Sequence, residues 1–410
     1  MSVALLTDRY ELTMLAGAVA AGLAERRAVF EVFTRCLPPG RRYGVVAGQG
    51  RLARLLPQVR YGALELAALG SVVDPATLAW LDGRPVTATL TSYAEGETFF
   101  PGSPVLTVEA AFGEGLLLET LVLSVLNHDS AIASAAARMV IAAGGRPLLD
   151  MGSRRTHERA AVAAARSAWV AGFAGTSNLE AGRLYDLPTV GTSAHAFVLA
   201  FPTERAAFVA QIATQGAGTT LLVDTYDVRE GIATAVSVAG TSLGAVRLDS
   251  GDLRLGARRA RAQLDALGAT GTRIVATSDL DEHSVAALCD EPVDTYGVGT
   301  SLVTGSGAPT VGLVYKLVAI AESDDSASPL RPVAKRSSGK STLGGRKWAY
   351  RHGGSEVLRL APGGPGRPLQ VPLVDDLAAA RARCAASLAE LPAAARALAP
   401  GAPAWTAVLG

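Results

Sequence analysis

The chain has 410 residues, of which 49% are hydrophobic and 18% charged, and its formal net charge is +1. This length and apolar content allow a large buried core and exclude a disordered chain. The balanced charge lacks the basic bias of nucleic-acid-binding proteins, so we expect no nucleic-acid partner.

The first residues, MSVALLTDRYELTM, have neither a basic segment nor a long apolar core. No stretch approaches the ~20 uninterrupted apolar residues of a membrane span. Cys36, Cys289 and Cys384 lie far apart, without the spacing of a metal site. We therefore expect a cytoplasmic protein with reduced thiols and no membrane association.

The N-terminal part mixes helical and strand patterns. The sequence predicts a helix over 10–24 and a strand over 28–35, where apolar and polar residues alternate. Short strands punctuated by prolines are predicted over 84–110, as an edge-rich sheet or a small barrel. Two apolar helices are predicted next, over 116–127 and 130–143.

From Arg146 onward, apolar runs alternate with amphipathic helical patterns. The runs are PLLDMGSRR, PTVGTSAHAF, TTLLVDTYD, GAVRLDSGDL, TRIVATSDL and VDTYGVGTSLV. Strands and helices that alternate at this spacing predict βαβ units and a parallel sheet. Six such units fit a closed or nearly closed α/β barrel, and a doubly wound open sheet is the alternative.

The last part of the chain changes character again. A polar stretch, ESDDSASP, and a basic Gly/Ser segment follow residue 320, and the tail from Asp375 is rich in Ala and Leu and predicted to be helical. The tail is too short to fold alone, so we expect it to pack on the N-terminal part. The predicted domains are therefore a discontinuous α/β terminal domain over 1–128 and 325–410 and a barrel over 129–324.

Polar residues and glycines follow the apolar run in each predicted βα unit. The carboxyl ends of barrel strands share one face, and that face carries the active site. The candidates for one common site are Arg154, Arg155, His195, Asp224, Arg247, Asp249, Asp252, Ser278, Asp279, Gly297, Gly299 and Thr300.

These candidates also have interpretations without function. Arg154 and Arg155 suit a carboxylate or phosphate, or are solvated charges at the start of a helix. His195 is either a site residue or a buried, satisfied histidine. Asp249 and Asp252 could hold ribose hydroxyls or Mg²⁺, or could cap the next helix.

The segment GVGTS at 297–301 is either a tight turn or a phosphate site in which backbone N–H groups and the Thr300 hydroxyl meet a helix start. The basic segment KRSSGK, with Lys335, Arg336 and Lys340, is either a flexible loop or a cover over an anionic substrate. Together these residue types suit transfer at a phosphorylated sugar through an oxocarbenium-like state.

The motifs TDRYELTM, FEVFTRCLPPGRRYGVVAG, GSRRTHE, GFAGTSN, GTSAHAF, VDTYD, VRLDSGDL, SDLDE, YGVGTSLVTGSGAP and KRSSGK together resemble nicotinate phosphoribosyltransferases. They occur in the family's order and cover most of the chain. The resemblance implies an irregular α/β barrel of the type II phosphoribosyltransferase kind, with an α/β domain formed by both termini. It also implies a homodimer with shared active sites and a role in NAD salvage.

The resemblance implies an ATP-coupled reaction. Nicotinate and 5-phosphoribosyl 1-pyrophosphate would give nicotinate mononucleotide and pyrophosphate, while ATP is hydrolysed through a phosphohistidine at His195, with Mg²⁺ as cofactor. The catalytic residues would be His195, Arg247 and Asp249, and Mg²⁺ would be held by Asp224 and Asp249.

The same resemblance implies the substrate-binding residues. A tyrosine at position 10 would stack on the pyridine ring from the partner subunit, Arg154 and Thr192 would lie near nicotinate, and Asp224 near the ribose. The full set is Tyr10, Met151, Arg154, Ser177, Asn178, Thr192, Asp224, Asp252, Ser278, Asp279, Gly297, Gly299 and Thr300.

Two of these positions bear on the choice of substrate. Related nicotinamide enzymes have an aspartate at the place of Ser177, and a neutral side chain there favours an acid over an amide. Many relatives have an aromatic residue at the place of Met151, whose thioether can still pack on a ring face. The alternatives are a phosphoribosyltransferase for nicotinamide or another pyridine acid, and a barrel protein that binds without catalysis.

Overall fold

The computed structural model of the chain describes residues 2–337 and 342–410, so Lys340 of the basic segment lies outside the described residues. Its helices are α1 (Arg9–Ala20), α2 (Gln49–Leu55), α3 (Ala63–Leu69), α4 (Pro75–Leu81), α5 (Phe112–Leu117), α6 (Glu119–Ala142), α7 (Glu158–Ala171), α8 (Leu179–Tyr185), α9 (His195–Leu199), α10 (Glu204–Gln215), α11 (Val228–Ala239), α12 (Leu253–Ala266), α13 (Glu282–Ala287), α14 (Thr300–Val303), α15 (Leu377–Glu390) and α16 (Ala393–Arg396).

The strands are shorter, and three 3₁₀ turns over Leu56–Gln58, Ser153–Arg155 and Gly240–Ser242 occur between the elements described. The strands are β1 (Arg27–Thr34), β2 (Gly44–Val45), β3 (Thr89–Tyr93), β4 (Thr98–Phe99), β5 (Leu106–Ala111), β6 (Leu148–Asp150), β7 (Gly175–Thr176), β8 (Thr220–Leu222), β9 (Ala245–Leu248), β10 (Arg273–Ala276), β11 (Thr295–Val298), β12 (Leu313–Ala321), β13 (Leu330–Pro332), β14 (Trp348–His352), β15 (Ser355–Arg359), β16 (Arg367–Pro368), β17 (Gln370–Pro372) and β18 (Ala407–Leu409).

The chain forms two compact units. The first comprises Met1–Ala131 and Thr310–Gly410, and the second comprises Ile132–Pro309. The second boundary differs from the predicted one after residue 324. The reason is that β12 pairs antiparallel with β1 over seven residue pairs and therefore belongs to the sheet of the first unit.

The first unit is built around an antiparallel sheet with the strand order β13-β12-β1-β5-β3-β17. The alternating segment predicted as a strand over 28–35 is the central strand β1, bonded to both β12 and β5. Phe30 and Val32 enter the main core, while Val29 packs with Val318 on the other face. A smaller sheet has the order β16-β14-β15-β18, and β4 pairs with β2 instead of joining β3 and β5.

One continuous helix, α6, replaces the two helices predicted over 116–127 and 130–143. The predicted break lay at residues 128 and 129. In the structure Ser130 Oγ accepts from the Ala47 amide at 3.1 Å and Asp129 Oδ1 accepts from Arg51 at 3.2 Å. Since a neighbouring segment bonds to both side chains, the helix continues through them.

The second unit contains a curled parallel sheet with the order β7-β6-β11-β10-β9-β8. Thr189 extends it by a parallel bridge to Thr176 at the β7 edge. Each strand therefore lies beside a neighbour in sequence, and β11 returns to pair with β6. This half-barrel confirms the predicted α/β barrel class, and its open seam lies between the bridge at Thr189 and β8.

Side chains on the concave face of this sheet follow the two-residue period of a strand. Two cavities occupy that face, and alternate residues line them along each strand. The inward residues are Pro147, Leu149 and Met151; Ala245, Arg247 and Asp249; Arg273, Val275 and Thr277; and Thr295, Gly297 and Gly299. No described helix is both long and apolar enough to span a bilayer.

The first unit should be sensitive to a side chain at Gly96. This residue has φ +92°, and a Cβ would lie 2.1 Å from the Ala380 carbonyl oxygen of α15. We expect Gly96→Ala to lower the free energy of unfolding by about 3 kcal/mol or more, from backbone strain and overpacking together.

Gly363→Ala is the matched control, because Gly363 has φ +94° in the same unit and nothing lies within 4 Å of its Cβ position. It should lower the free energy of unfolding by only about 1 kcal/mol. Urea unfolding of both variants checks this, and equal losses would contradict the proposed clash with α15.

Candidate active site

Arg247, on β9, lies at the centre of a hydrogen-bonded group that joins several strand ends. Its Nε donates to Thr277 Oγ1 at 3.0 Å, and its Nη1 donates to Thr192 Oγ1 at 2.6 Å and to the Ser193 carbonyl at 3.2 Å. Its Nη2 lies 3.2 Å from Asp249 Oδ2. A planar guanidinium held on three sides has a fixed orientation, which suits it to present charge to a bound anion.

Asp249 is held between Arg247 and a hydroxyl. Thr277 Oγ1 donates a short hydrogen bond to Asp249 Oδ1. The other oxygen, Oδ2, contacts Arg247 and lies 3.9 Å from His195 Nε2. Thr277 was not among the predicted site residues, although it follows the apolar run of β10 directly.

Asp224 is a buried carboxylate with one oxygen free. Its Oδ2 accepts from the Asp249 amide at 2.8 Å and from Ser250 Oγ at 2.7 Å. Its side chain is 2% exposed, and Oδ1 has no hydrogen-bond partner among the described residues. This oxygen lies 4.0 Å from His195 Nε2. A buried acceptor without a partner indicates that a cation or an N–H donor belongs there.

His195 begins α9 and faces these two carboxylates. Its Nδ1 lies 3.1 Å from Thr225 Oγ1. The side chain is 42% exposed, which rules out the alternative of a buried, satisfied core histidine. One ring nitrogen is therefore held by a hydroxyl, while the other faces the carboxylates and remains reachable from solvent.

Glu204, the first residue of α10, adds a further acid that the sequence analysis missed. Its Oε1 is buried and has no hydrogen-bond partner among the described residues. Burial raises the pKa of Glu204, and the charges of Asp224 and Asp227 raise it further. In the sequence it stood in the helix start PTER, where an acidic residue is ordinary, so no signal marked it.

A pocket of about 170 Å³ opens beside Asp249 at the carboxyl ends of the strands. It brings together most of the residues predicted from the strand ends. Its lining consists of Met151, Arg154, Arg155, Arg247, Asp249, Thr277, Ser278, Asp279, Gly297, Gly299 and Thr300. Two arginines from one strand end thus face an arginine, two carboxylates and a glycine-rich turn.

Gly297 makes room inside this pocket. A Cβ at this position would lie 2.7 Å from both Met151 Sδ and Thr277 Cγ2. Any larger residue would displace the thioether of Met151 or the hydroxyl side chain that holds Asp249. The glycine thus has a packing reason in addition to the predicted role in phosphate binding.

Ser278 has φ +123°, a conformation that residues with a Cβ rarely adopt. It lies on the lining of the pocket, directly after Thr277. Its carbonyl accepts from the Leu280 amide at 2.8 Å, which closes a tight turn around Asp279. Strained backbone of this kind is retained mostly at functional sites, so the turn is a candidate ligand contact.

Seven predicted residues do not line the pocket, and two of them, His195 and Asp224, belong to the group beside it. Ser177 donates its amide to the Asp150 carbonyl at 2.7 Å, and Asn178 caps α8 through the Ala181 amide at 2.9 Å. The Asp252 carboxylate caps α12, and Thr192 orients Arg247. Tyr10 lies on α1 of the first unit and is 45% exposed.

Asp150 holds together two strand ends next to the pocket. Its Oδ1 accepts from the Gly152 amide at 2.9 Å and its Oδ2 from Thr176 Oγ1 at 2.6 Å, so it joins the end of β6 to the end of β7. Burial raises the pKa of this carboxyl, although both hydrogen bonds oppose the shift. The turn that carries Met151 and Arg154 depends on these bonds. The sequence analysis missed Asp150, although the spacing of DMG is typical of an Asp-initiated turn.

Known proteins match the chain along most of its length. Its residues 5–127 match the profile of the nicotinate phosphoribosyltransferase (NAPRTase) N-terminal domain, and residues 147–338 match that of the nicotinate phosphoribosyltransferase (NAPRTase) family. The chain is 57% identical to nicotinate phosphoribosyltransferase pncB1 of Mycobacterium tuberculosis, over 98% of this chain and 94% of that protein. The chain belongs to the nicotinate phosphoribosyltransferase family.

Other members of the family share the fold. The nicotinate phosphoribosyltransferase of Bacillus subtilis is 37% identical over 85% of this chain and 73% of that protein. The crystal structure of human nicotinic acid phosphoribosyltransferase superposes with a TM-score of 0.78, at 27% identity, covering 98% of this chain and 97% of that one. These matches confirm the fold class and the family resemblance inferred from the motifs.

Asp150 should make the free energy of unfolding of this chain depend on pH. Because its pKa is raised in the folded chain, its contribution to stability is complete below the unfolded pKa and is lost as the pH rises through the folded pKa. Asp150→Asn keeps an acceptor for Gly152 and a polar partner for Thr176 but cannot ionise. We expect the stability of the variant relative to the wild type to increase with pH.

Urea unfolding between pH 4 and pH 8 measures this difference. Asp290→Asn, at an exposed position, is the control for charge removal. A relative stability of Asp150→Asn that stays constant, or that is larger in acid, would show that the buried carboxyl is not the cause.

Proposed function

We propose that this chain is an ATP-coupled nicotinate phosphoribosyltransferase. It would join nicotinate to 5-phosphoribosyl 1-pyrophosphate, releasing nicotinate mononucleotide and pyrophosphate, in a homodimer that shares its active sites. The observation that carries the proposal is the group formed by Arg247, Asp249, Asp224 and His195 beside a pocket of arginines and a glycine-rich turn. Membership in the family supports the substrate class.

The pyridine acid would bind near Met151. This thioether packs against Gly297 on the lining that also carries Arg154 and Arg247, so an aromatic ring and a carboxylate both find partners there. Ser177 adds no charge that would repel the carboxylate. Tyr10 of the partner subunit would cover the other face of the ring, which is consistent with its exposure on α1.

The phosphoribosyl group would lie across the carboxyl ends of β9, β10 and β11. Backbone and side-chain groups of Ser278, Asp279, Gly299 and Thr300 would hold phosphate, and Asp249 would face the ribose. The ring nitrogen of nicotinate attacks the anomeric carbon as the bond to pyrophosphate breaks. A carboxylate near the ribose stabilises the positive charge that develops there.

Asp224 and Asp249 suit Mg²⁺, because this ion typically takes one or two carboxylates together with substrate phosphates. No group of three or more potential metal-binding side chains occurs among the described residues, so phosphate oxygens would complete its shell. When bound, the ion would neutralise pyrophosphate as it leaves. The unpartnered Asp224 Oδ1 is the observation that supports such an ion.

ATP would act through His195. A ring nitrogen attacks the γ-phosphorus, ADP leaves, and the phosphohistidine is later hydrolysed to histidine and phosphate, so that one ATP is consumed in each cycle. After a small rotation of the ring, Asp224 Oδ1 would accept the N–H of Nε2, so Nδ1 would be the attacking nitrogen and would give up its contact with Thr225. That contact would make the attacking nitrogen more nucleophilic.

The activity is tested by mixing the protein with nicotinate, phosphoribosyl pyrophosphate and Mg²⁺, with and without ATP. Formation of the mononucleotide and of ADP is followed, with nicotinamide and quinolinate in parallel reactions. A protein that forms no mononucleotide under any condition would contradict the proposal, and one that prefers nicotinamide or quinolinate would reassign the substrate.

The role of His195 predicts a specific loss. In His195→Ala the ATPase activity should fall by at least roughly 10³-fold, as expected for removal of a nucleophile, while slow ATP-independent transfer persists. The acid-labile phosphate that labelled ATP leaves on the wild type should be absent. His283→Ala, at an exposed position on α13, is the control. Unchanged ATPase in His195→Ala would refute the role.

The neutral side chain of Ser177 predicts the choice between acid and amide. Ser177→Asp should lower kcat/KM for nicotinate by about 10- to 100-fold, because a like charge near the substrate carboxylate costs about 1.4 to 2.8 kcal/mol. The loss for nicotinamide should be smaller. Ser177→Asn has similar size without the charge and is the control. Equal losses for both substrates would show that Ser177 acts through packing alone.

A further inference from the structure

A second cavity, of about 570 Å³, occupies the amino-terminal end of the same concave face. Its lining includes the first inward residues of four strands, Thr220, Ala245, Arg273 and Thr295. It extends to Thr189 at the open seam of the half-barrel. The proposed reaction has no use for this end of the barrel.

The cavity exists because the inward residues here are small. The interiors of α/β barrels are normally filled by layers of bulky branched side chains. In this layer the inward side chains are those of two threonines, an alanine and the exposed Arg273, so the interior of the half-barrel remains open. The sheet is also open at the seam beside Thr189, where no described strand joins its two edges.

This cavity adjoins the catalytic pocket. Met151 lines both of them, and Thr192, on the lining of the second cavity, accepts a hydrogen bond from Arg247, on the lining of the first. Along β10, Arg273 lies at the amino-terminal end and Thr277 at the catalytic pocket. Four residues of strand separate them by about 13 Å, at about 3.3 Å per residue. The two cavities therefore meet at Met151, at the place proposed for the pyridine ring.

The chemistry of the lining suits a small anion. Arg273 is exposed and forms no ion pair with a described residue; its Nε is 3.5 Å from the Gly244 carbonyl. The remaining polar lining residues are threonines and Gln215, and the described lining includes no Asp or Glu. Uncharged hydroxyls can donate hydrogen bonds to a passing carboxylate without binding it tightly. The single cation of the described lining, Arg273, attracts the carboxylate at one end.

We propose that the interior of the half-barrel is a second passage to the pyridine site, through which a small aromatic carboxylate enters and leaves past Arg273. The proposal rests on the proposed function, because it takes nicotinate as the acid. It matters for that reaction because phosphoribosyl pyrophosphate would occupy the carboxyl-terminal face. The acid could then reach Met151 while the other substrate stays bound.

Two variants test the passage. Ala245→Met places a long side chain in the amino-terminal layer, and Arg273→Gln removes the charge at the end of the passage. Arg229→Gln is the control for a lost surface charge, since Arg229 is exposed on α11 and lines neither cavity. Inorganic pyrophosphate occupies the carboxyl-terminal face without allowing turnover. Association and dissociation of labelled nicotinate are then measured by rapid mixing, and its Kd by equilibrium dialysis.

A passage changes rates without changing affinity. In the wild type, the association rate of nicotinate with pyrophosphate bound should lie within about two-fold of the rate without it, because a route through the barrel avoids the pyrophosphate. In Ala245→Met, association and dissociation should both slow by about ten-fold at constant Kd. In Arg273→Gln, association should slow about three-fold at low ionic strength, and the difference should vanish at 1 M salt.

Other results overturn the passage. Pyrophosphate that blocks nicotinate association, or an Ala245→Met protein with wild-type rates, would show that the acid enters elsewhere. A changed Kd with unchanged association would make the cavity a binding subsite instead. If Ala245→Met does not fold, Arg273→Gln decides alone. If the wild type makes mononucleotide and the variants keep its rates of nicotinate association and dissociation, only the passage is refuted. If the wild type shows no turnover, the proposed function is refuted.

Discussion

The guanidinium of Arg247 is the contact on which the rest of the candidate site depends. It bonds Thr277 on one side and Thr192 on the other, and it contacts Asp249. The Asp249 amide then fixes Asp224, whose second oxygen faces His195. Such a chain of contacts is rigid because each buried polar group is oriented by the one before it. A change at Arg247 would therefore disturb the histidine, which it does not touch.

Because of the two-residue period, different inward residues of the same strand line the two cavities of the half-barrel. On β9 and β10 the first inward residues, Ala245 and Arg273, line the amino-terminal cavity. The later ones, Asp249 and Thr277, line the catalytic pocket. Because successive inward residues are about 6.6 Å apart along a strand, one strand can serve both ends of the barrel. Gly297 fits this arrangement, since it leaves space where the two cavities meet at Met151.

The sequence could predict which strand-end residues lie together, because a parallel sheet brings all its carboxyl ends to one edge. It could not predict features decided by long-range partners. Asp129 and Ser130 lie at the predicted helix break, and only the fold brings Arg51 and Ala47 to bond with them. Glu204 looked like an ordinary first-turn acid until the fold placed it near Asp224. In each case the deciding neighbour is remote in the chain, and no local pattern contains it.

The surroundings of His195 are strongly acidic, and this bears on the proposed coupling to ATP. Asp224 and Asp249 lie within 4.0 Å of its ring, and Glu204 lies close enough to Asp224 for their charges to interact. A phosphoryl group brings a further charge of about −1.5 to −2 at neutral pH, so the same carboxylates repel it. In the proposed reaction, this repulsion would favour hydrolysis of the phosphohistidine.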